Sequence, residues 1–191
     1  MDGFIMGIDP GNKESAFCLV SPDFRPASFA KLPNMARTEF AEVGAPRDLF
    51  FDEIRKQIQN VPRNCPLSVV IEGIESYGMP VGREVFDTAR YIGRLETLLE
   101  KEFMICPATI YRHDEKRTIC HSARANDATI KQALIDRFAP GVRNHGKGTK
   151  KEPGWFYGMK GDCWSAYAIA ITYADMSGMS SDDYMTDRRR E

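Results

Sequence analysis

Three acids stand where an apolar segment meets a turn or a helix start, and there a carboxylate is either a structural cap or a ligand. Asp9 closes Ile5-Met6-Gly7-Ile8 and precedes Pro10-Gly11, Glu72 closes Leu67-Ser68-Val69-Val70-Ile71, and Asp162 follows Gly161 ahead of a strongly apolar run. Pro10 disfavours the helical region for Asp9, and Pro-Gly suits the two central positions of a type II turn. Asp9 therefore reads equally well as a turn residue and as a carboxylate displayed at a strand end. Glu72 is harder to dismiss, because an acid closing a Val-Val-Ile run is costly to bury unless it is paired or binds a cation. Asp162, taken alone, reads first as an N-cap or dipole-matching acid. Should the three converge, their shared chemistry is oxygen ligation of a hard cation, Mg²⁺ or Mn²⁺.

Sulfur and imidazole offer less. The 5 cysteines are odd in number and never form a C-x-x-C pair, which points to reduced thiols. Cys106, His113, Cys120 and His121 follow no common zinc spacing, and Cys106 sits in an apolar run, so buried or incidental residues are the better reading.

The elements that must position the acids follow from hydrophobic periodicity. Residues 5–9 and 15–20 read as a hairpin around the Pro10-Gly11-Asn12 turn, and residues 27–32, between Pro26 and Pro33, read as a third strand at the sheet edge. Leu49, Phe50, Ile54, Ile58 and Val61 recur at helical spacing over 47–60. A central strand over 67–71 ends at Glu72. A loop carrying Tyr77 leads to a long helix over 83–102, with Val85, Phe86, Ala89, Ile92, Leu95, Leu98 and Leu99 as its stripe against the sheet. Residues 103–106 and 109–111 read as another strand, giving the strand, helix, strand order of a parallel unit. A short helix over 114–120 and a better one starting at the N-cap Asn126 and stopping at Pro140-Gly141 come next. Residues 141–160 are Gly-rich and basic, with Trp155, Phe156 and Tyr157 together; they read as a solvated loop or a nucleic-acid-contacting one. The run from Trp164 to Ala174 reads as a helix buried almost all round.

With 191 residues, 42% of them hydrophobic, the chain suits one domain over 1–176 and a loose tail over 177–191. A formal net charge of -1 excludes a uniformly basic nucleic-acid binder, so any DNA contact must come from local clusters of Lys and Arg. No basic leader and no span-length apolar run are present, the pattern expected of a soluble cytoplasmic protein without a membrane partner.

The order Gly7-Ile8-Asp9-Pro10-Gly11, Val70-Ile71-Glu72, Asn126-Asp127-Ala128-Thr129-Ile130-Lys131, and Asp162 ahead of Ala166-Tyr167-Ala168-Ile169-Ala170-Ile171-Thr172 resembles the RuvC family of Holliday junction resolvases, especially its phage-type members. The resemblance covers nearly the whole chain from Phe4 to Ala174. It implies an α/β RNase H-like fold, a five-stranded mixed sheet combining an antiparallel meander with parallel strands, flanked by helices. It implies that Asp9, Glu72 and Asp162 are catalytic, metal-binding acids for two Mg²⁺ or Mn²⁺ ions, in a bacterial or phage-infected cell. The family often has an Asp or His where this chain has Ser165, whose hydroxyl would serve only through water. A two-metal carboxylate site suits phosphodiester hydrolysis, activating water and stabilising attacking and leaving oxygens.

Branched DNA, a four-way junction, is the implied partner, read by shape and deformability. Arg124, Lys131, Lys147, Lys150, Lys151 and Lys160 are the candidate phosphate contacts, and Tyr77 is either a base-stacking residue or a loop anchor. A near-two-fold junction matches a homodimer, for which the 83–102 helix is the candidate interface. A nuclease of the same fold acting on a flap or an RNA/DNA hybrid, and a non-catalytic junction-binding protein, are the alternatives. An actin-like ATPase is disfavoured because the chain lacks room for two lobes.

Overall fold

The computed structural model describes residues 3–35, 47–76, 78 and 80–179. Tyr77 and residues 180–191 of the expected tail lie outside them. Five strands, β1 (Phe4–Asp9), β2 (Glu14–Val20), β3 (Pro26–Pro33), β4 (Leu67–Glu72) and β5 (Ala108–Ile110), form one sheet in the order β3-β2-β1-β4-β5. β1, β2 and β3 make the antiparallel meander, while β4 joins β1 and β5 joins β4 in parallel. The helices are α1 (Leu49–Asn60), α2 (Arg83–Phe103), α3 (Arg112–Cys120), α4 (Asp127–Phe138) and α5 (Cys163–Met176).

Alternation along the strands divides the interior into two cores, because successive side chains point to opposite faces. Met6, Ile8, Phe17, Leu19, Val69 and Ile71 pack with α1 and α2. Ile5, Ala16, Cys18, Val20, Val70 and Ile110 pack with α4 and α5. Each large apolar side chain so buried contributes roughly 1.5–3 kcal/mol. β1 has a helix layer on each face, which fixes its carboxyl end and hence Asp9.

α5 lies against β1 and β2 and is buried nearly all round, as its composition requires. Gly7 makes the approach possible: a Cβ there would stand 2.0 Å from the Ala166 carbonyl oxygen and 2.9 Å from the Ala170 nitrogen. On the opposite face, Asp48 caps α1 by accepting from the Phe51 amide at 3.0 Å, and also accepts from the Tyr91 hydroxyl and Arg94 Nε of α2, each at 3.0 Å.

Several local expectations need correction. Phe103 ends α2 rather than opening a strand, because Met104 turns left-handed (φ 57°) and accepts no further helical turn, so β5 is only Ala108–Ile110. The α2 stripe is covered by the sheet at Tyr91, Leu95 and Leu99, whereas Phe86 in its first turn remains 60% exposed. α3 begins at Arg112, two residues before the expected start. Gly11 does not adopt the positive φ of a type II turn. Its small size matters instead, since a Cβ would lie 2.3 Å from the Glu14 carbonyl oxygen. The segment 141–160 is built of turns around buried anchors: Phe156 is fully buried, 4.5 Å from Trp164 between ring centres, and Trp155 stacks on Phe138 at 5.4 Å. Burial removes Phe156 from the pool of base-stacking aromatics, and Tyr157 is the exposed one of the three, at 45%.

Candidate active site

Parallel pairing of β1 and β4 puts Ile8 opposite Ile71, so the next residues along, Asp9 and Glu72, end adjacent strands side by side. That is the carboxyl edge of the parallel part of the sheet, where open α/β sheets present their binding groups. A buried polar knot holds the chain just beyond Asp9. The Gly11 amide donates to Ser15 Oγ (3.1 Å), Ser15 Oγ donates to Asn34 Oδ1 (2.7 Å), and Asn34 Nδ2 donates to the Gly11 carbonyl (2.7 Å). Asn34 is 2% exposed and came from no pattern in the sequence, since it lies past the end of an edge strand.

The two carboxyls are close enough to act on one another's ionisation. Burial, reinforced by the charges of Glu72 and Asp162, pushes Asp9 up to about 8. Burial and the Glu115 charge push Glu72 up to about 7. Both shifts have one cause, the cost of placing like charges together away from water. The counter-charge is Arg112, which lowers both values. Its guanidinium binds Glu115 Oε2 at 2.5 Å and also reaches Asp127.

Glu115 is the residue that the sequence reading did not single out. It lies in the charged run Arg112-His113-Asp114-Glu115-Lys116-Arg117, yet it is fully buried, and burial raises its carboxyl to about 7. A helix this polar has no apolar stripe to reveal which acid faces inward. The Arg112/Glu115 pair at i,i+3 was the one available signal.

Asp162 occupies the N-cap position of α5 but makes no capping hydrogen bond; its backbone is helical (φ -67°, ψ -11°), which turns the carboxylate away from the free amides. The simple capping reading therefore fails. Asp162 Oδ2 pairs with Lys31 Nζ of β3 at 2.8 Å, and Lys31 also meets Glu14 at 3.1 Å. Asp162 acts on Asp9 through its charge, but it is engaged elsewhere.

Among the described residues, no group of three or more His, Cys, Asp or Glu side chains is gathered so as to hold a metal ion as it stands. The donor chemistry nonetheless fits a hard cation. Asp9 and Glu72 are adjacent, largely withdrawn from water and pressed toward protonation for want of positive charge, which a divalent ion would supply. Among the described residues Cys106, His113, Cys120 and His121 form no metal-holding group, in line with their disfavoured zinc reading; His113 Nδ1 meets Glu75 at 2.8 Å and Cys106 is exposed rather than buried in its apolar run.

A cleft of about 290 Å³ opens at Asp162, lined by Arg112, Asp127, Lys131, Asp162 and Ser165 among others, while Asp9 and Glu72 are not among its lining residues. Lys131 is fixed there with its ammonium 5.1 Å from the Trp164 ring centre. Ser165 is thus within the cleft, one helical turn from Asp162. Lys160 lines a second cavity of about 450 Å³ with Lys31, on the other side of Asp162. Arg124, Lys150 and Lys151 are exposed and Lys147 is half-buried; among the described contacts, none ties them to the acids.

No family model matches the chain. No curated protein matches its sequence. Among solved structures, the fold is similar to that of Thermus thermophilus RuvC in complex with a Holliday junction substrate, with a TM-score of 0.58, 13% identity, and coverage of 94% of this chain and 97% of that one. The Thermus thermophilus RuvC structure is also similar, with a TM-score of 0.53, 14% identity, and coverage of 92% and 96%. At this identity the likeness is one of fold, and it establishes the RNase H-like architecture expected from the motifs.

Proposed function

We propose that this chain is a phage-type, metal-dependent endonuclease that cuts branched DNA at four-way junctions by phosphodiester hydrolysis. The observation that carries the reading is the pair of half-buried carboxyls, Asp9 and Glu72, side by side at neighbouring parallel strand ends of a RuvC-like sheet. The neighbour solved with a Holliday junction substrate supports the substrate class.

In this reading Asp9 and Glu72 hold Mg²⁺ or Mn²⁺, with Asp162 as a further acid of the same site. A bound divalent ion would activate water and offset charge on the reacting phosphate. Lys131, seated in the cleft against Trp164, receives a backbone phosphate, and Lys160 tracks the strand on the far side of Asp162. The exposed Arg124, Lys150 and Lys151, with Lys147, extend the phosphate-contacting surface. Tyr77 is assigned to stacking on an opened base. Paired cuts in strands of like polarity call for two copies related by a two-fold axis, and the uncovered first turns of α2, where Phe86 is 60% exposed, suit that contact.

Incubating the protein with a labelled four-way junction, a linear duplex and an RNA/DNA hybrid, each with Mg²⁺ or Mn²⁺, tests the proposal. Paired cuts confined to the junction are expected. Cleavage of the hybrid alone would assign another nuclease activity, and binding without cleavage would leave a junction-binding protein.

A further inference from the structure

The Gly-rich segment after α4 is closed on itself as a narrow finger. At its root the Phe156 amide donates to the Gly146 carbonyl at 3.0 Å, and further out the Gly154 amide donates to Lys147 at 2.8 Å and the Thr149 amide to Glu152 at 2.9 Å. Gly148 and Pro153 face one another as an antiparallel bridge. Asn144 Nδ2 braces the Gly148 carbonyl at 2.9 Å, and the Thr149 hydroxyl oxygen accepts from the Glu152 amide at 3.1 Å. The limbs meet because two glycines lack side chains: a Cβ on Gly148 would stand 2.3 Å from the Glu152 carbonyl oxygen, and one on Gly154 2.4 Å from that of Gly146.

Lys150 and Lys151 are the two residues of the tip, and both are exposed. With Arg143 and Lys147 they set four cations against the single acid Glu152, in a chain whose net charge is -1. Among the described residues none of these five side chains is in an ion pair, whereas Lys31, Arg55 and Arg112 are each bound to acids. Like charges held together without counter-charge favour an external polyanion. A braced backbone also has less freedom to lose on binding than a loose loop. The root lies one ring from the cleft, since Trp164 meets the Lys131 ammonium at 5.1 Å and Phe156 at 4.5 Å between ring centres. Four residues of limb carry the tip at most roughly 13 Å further, about the ~12 Å width of a DNA major groove.

We infer that residues 143–153 are a preset finger that takes the sugar-phosphate backbone of a duplex arm, across a groove from the strand at the cleft. This rests on the reading of the chain as a branched-DNA binder. It makes the arm, rather than the crossover, the feature that Lys150 and Lys151 recognise.

The test is fluorescence anisotropy in EDTA, which reads binding without cutting, on four-way junctions with arms of about 8 and about 20 base pairs, or just under one and about two helical turns. The double variant Lys150→Gln, Lys151→Gln should lose about tenfold or more in affinity for the long-armed junction at about 0.1 M salt, and less than about twofold for the short-armed one. Glu152→Lys should bind the long arms several times more tightly. Both changes fall on exposed, unpaired side chains, so unaltered melting temperatures are expected to separate lost contact from lost fold. Inserting Gly-Gly between Lys150 and Lys151 keeps every charge but opens the closure at Thr149 and Glu152, and should cost about threefold or more on long arms. Unchanged affinity there overturns the preset finger. Equal losses on both junctions in the double variant would put the lysines at the crossover and overturn the arm assignment, with the proposed nuclease untouched. Wild-type affinity in that variant would overturn the finger as a DNA contact. Failure of the wild type to bind either junction would overturn the branched-DNA reading, and this inference with it.

Discussion

Replacing Asp9 by Asn should stabilise the metal-free protein at neutral pH, the reverse of the usual effect of altering a buried hydrogen-bonding group. In the unfolded chain this carboxyl ionises near 3.8, but in the fold burial and the Glu72 and Asp162 charges hold it protonated up to about 8. A carboxyl with a raised folded value contributes its stability in full below about pH 4. That contribution then declines as pH rises toward about 8, because over this window the folded state binds the extra proton. Keeping the group protonated at pH 7 against an unfolded value of 3.8 costs on the order of 4 kcal/mol, at roughly 1.4 kcal/mol per pH step. Asn carries no such penalty, and it also removes one of the charges that raise Glu115 to about 7. Urea unfolding in EDTA at pH 4.5 and pH 7.5 should therefore show the variant gaining on the wild type by about 2–4 kcal/mol between the two conditions. Parallel pH profiles for the two proteins would refute the reasoning. With Mg²⁺ at a hundred times its Kd the gap should narrow by about 2.7 kcal/mol, since the wild type alone then gains by binding.

Gly7→Ala should abolish stable folding or cost at least about 3 kcal/mol in thermal and urea melts, because its Cβ would sit 2.0 Å from a backbone oxygen of α5 that the whole buried helix would have to move. Phe156→Ala should lower stability by about 3–5 kcal/mol. At a temperature where it stays folded, its affinity for a junction should match the wild type, since the ring is a core anchor; a selective loss of binding would restore it to the DNA face. Changing both Lys150 and Lys151 to Gln should weaken junction binding and reduce the slope of log K against log salt by about 1–2, and an unchanged slope would remove the segment from the interface.

The fold was legible where periodicity and punctuation agree. Alternating strands, Asn126 as the cap of α4 with Oδ1 accepting from the Thr129 amide at 3.0 Å, and the apolar α5 run all stand where the residue pattern puts them. It failed at Phe103-Met104-Ile105-Cys106, where strand-like residues are consumed by a helix end whose left-handed cap no residue type announces. Asp9 and Glu72 were recoverable because each closes an apolar strand, and sheet register then makes them neighbours. Glu115 and Asn34 were hidden for the same physical reason: polar residues in polar surroundings become buried only through tertiary contacts made by distant elements. Asp162 was visible, but its ion pair with Lys31 depends on how β3 passes α5, which spacing along the chain does not encode.

The most direct measurement of the central claim is single-turnover cleavage of a four-way junction by the wild type, Asp9→Asn and Glu72→Gln, with Mg²⁺ and with EDTA. Paired cuts by the wild type with Mg²⁺ only, and a loss of roughly a hundredfold or more in each variant while junction binding persists, are the expected result. Cleavage that survives EDTA, or that either variant performs at the wild-type rate, would show that this acid pair is not where the chemistry occurs.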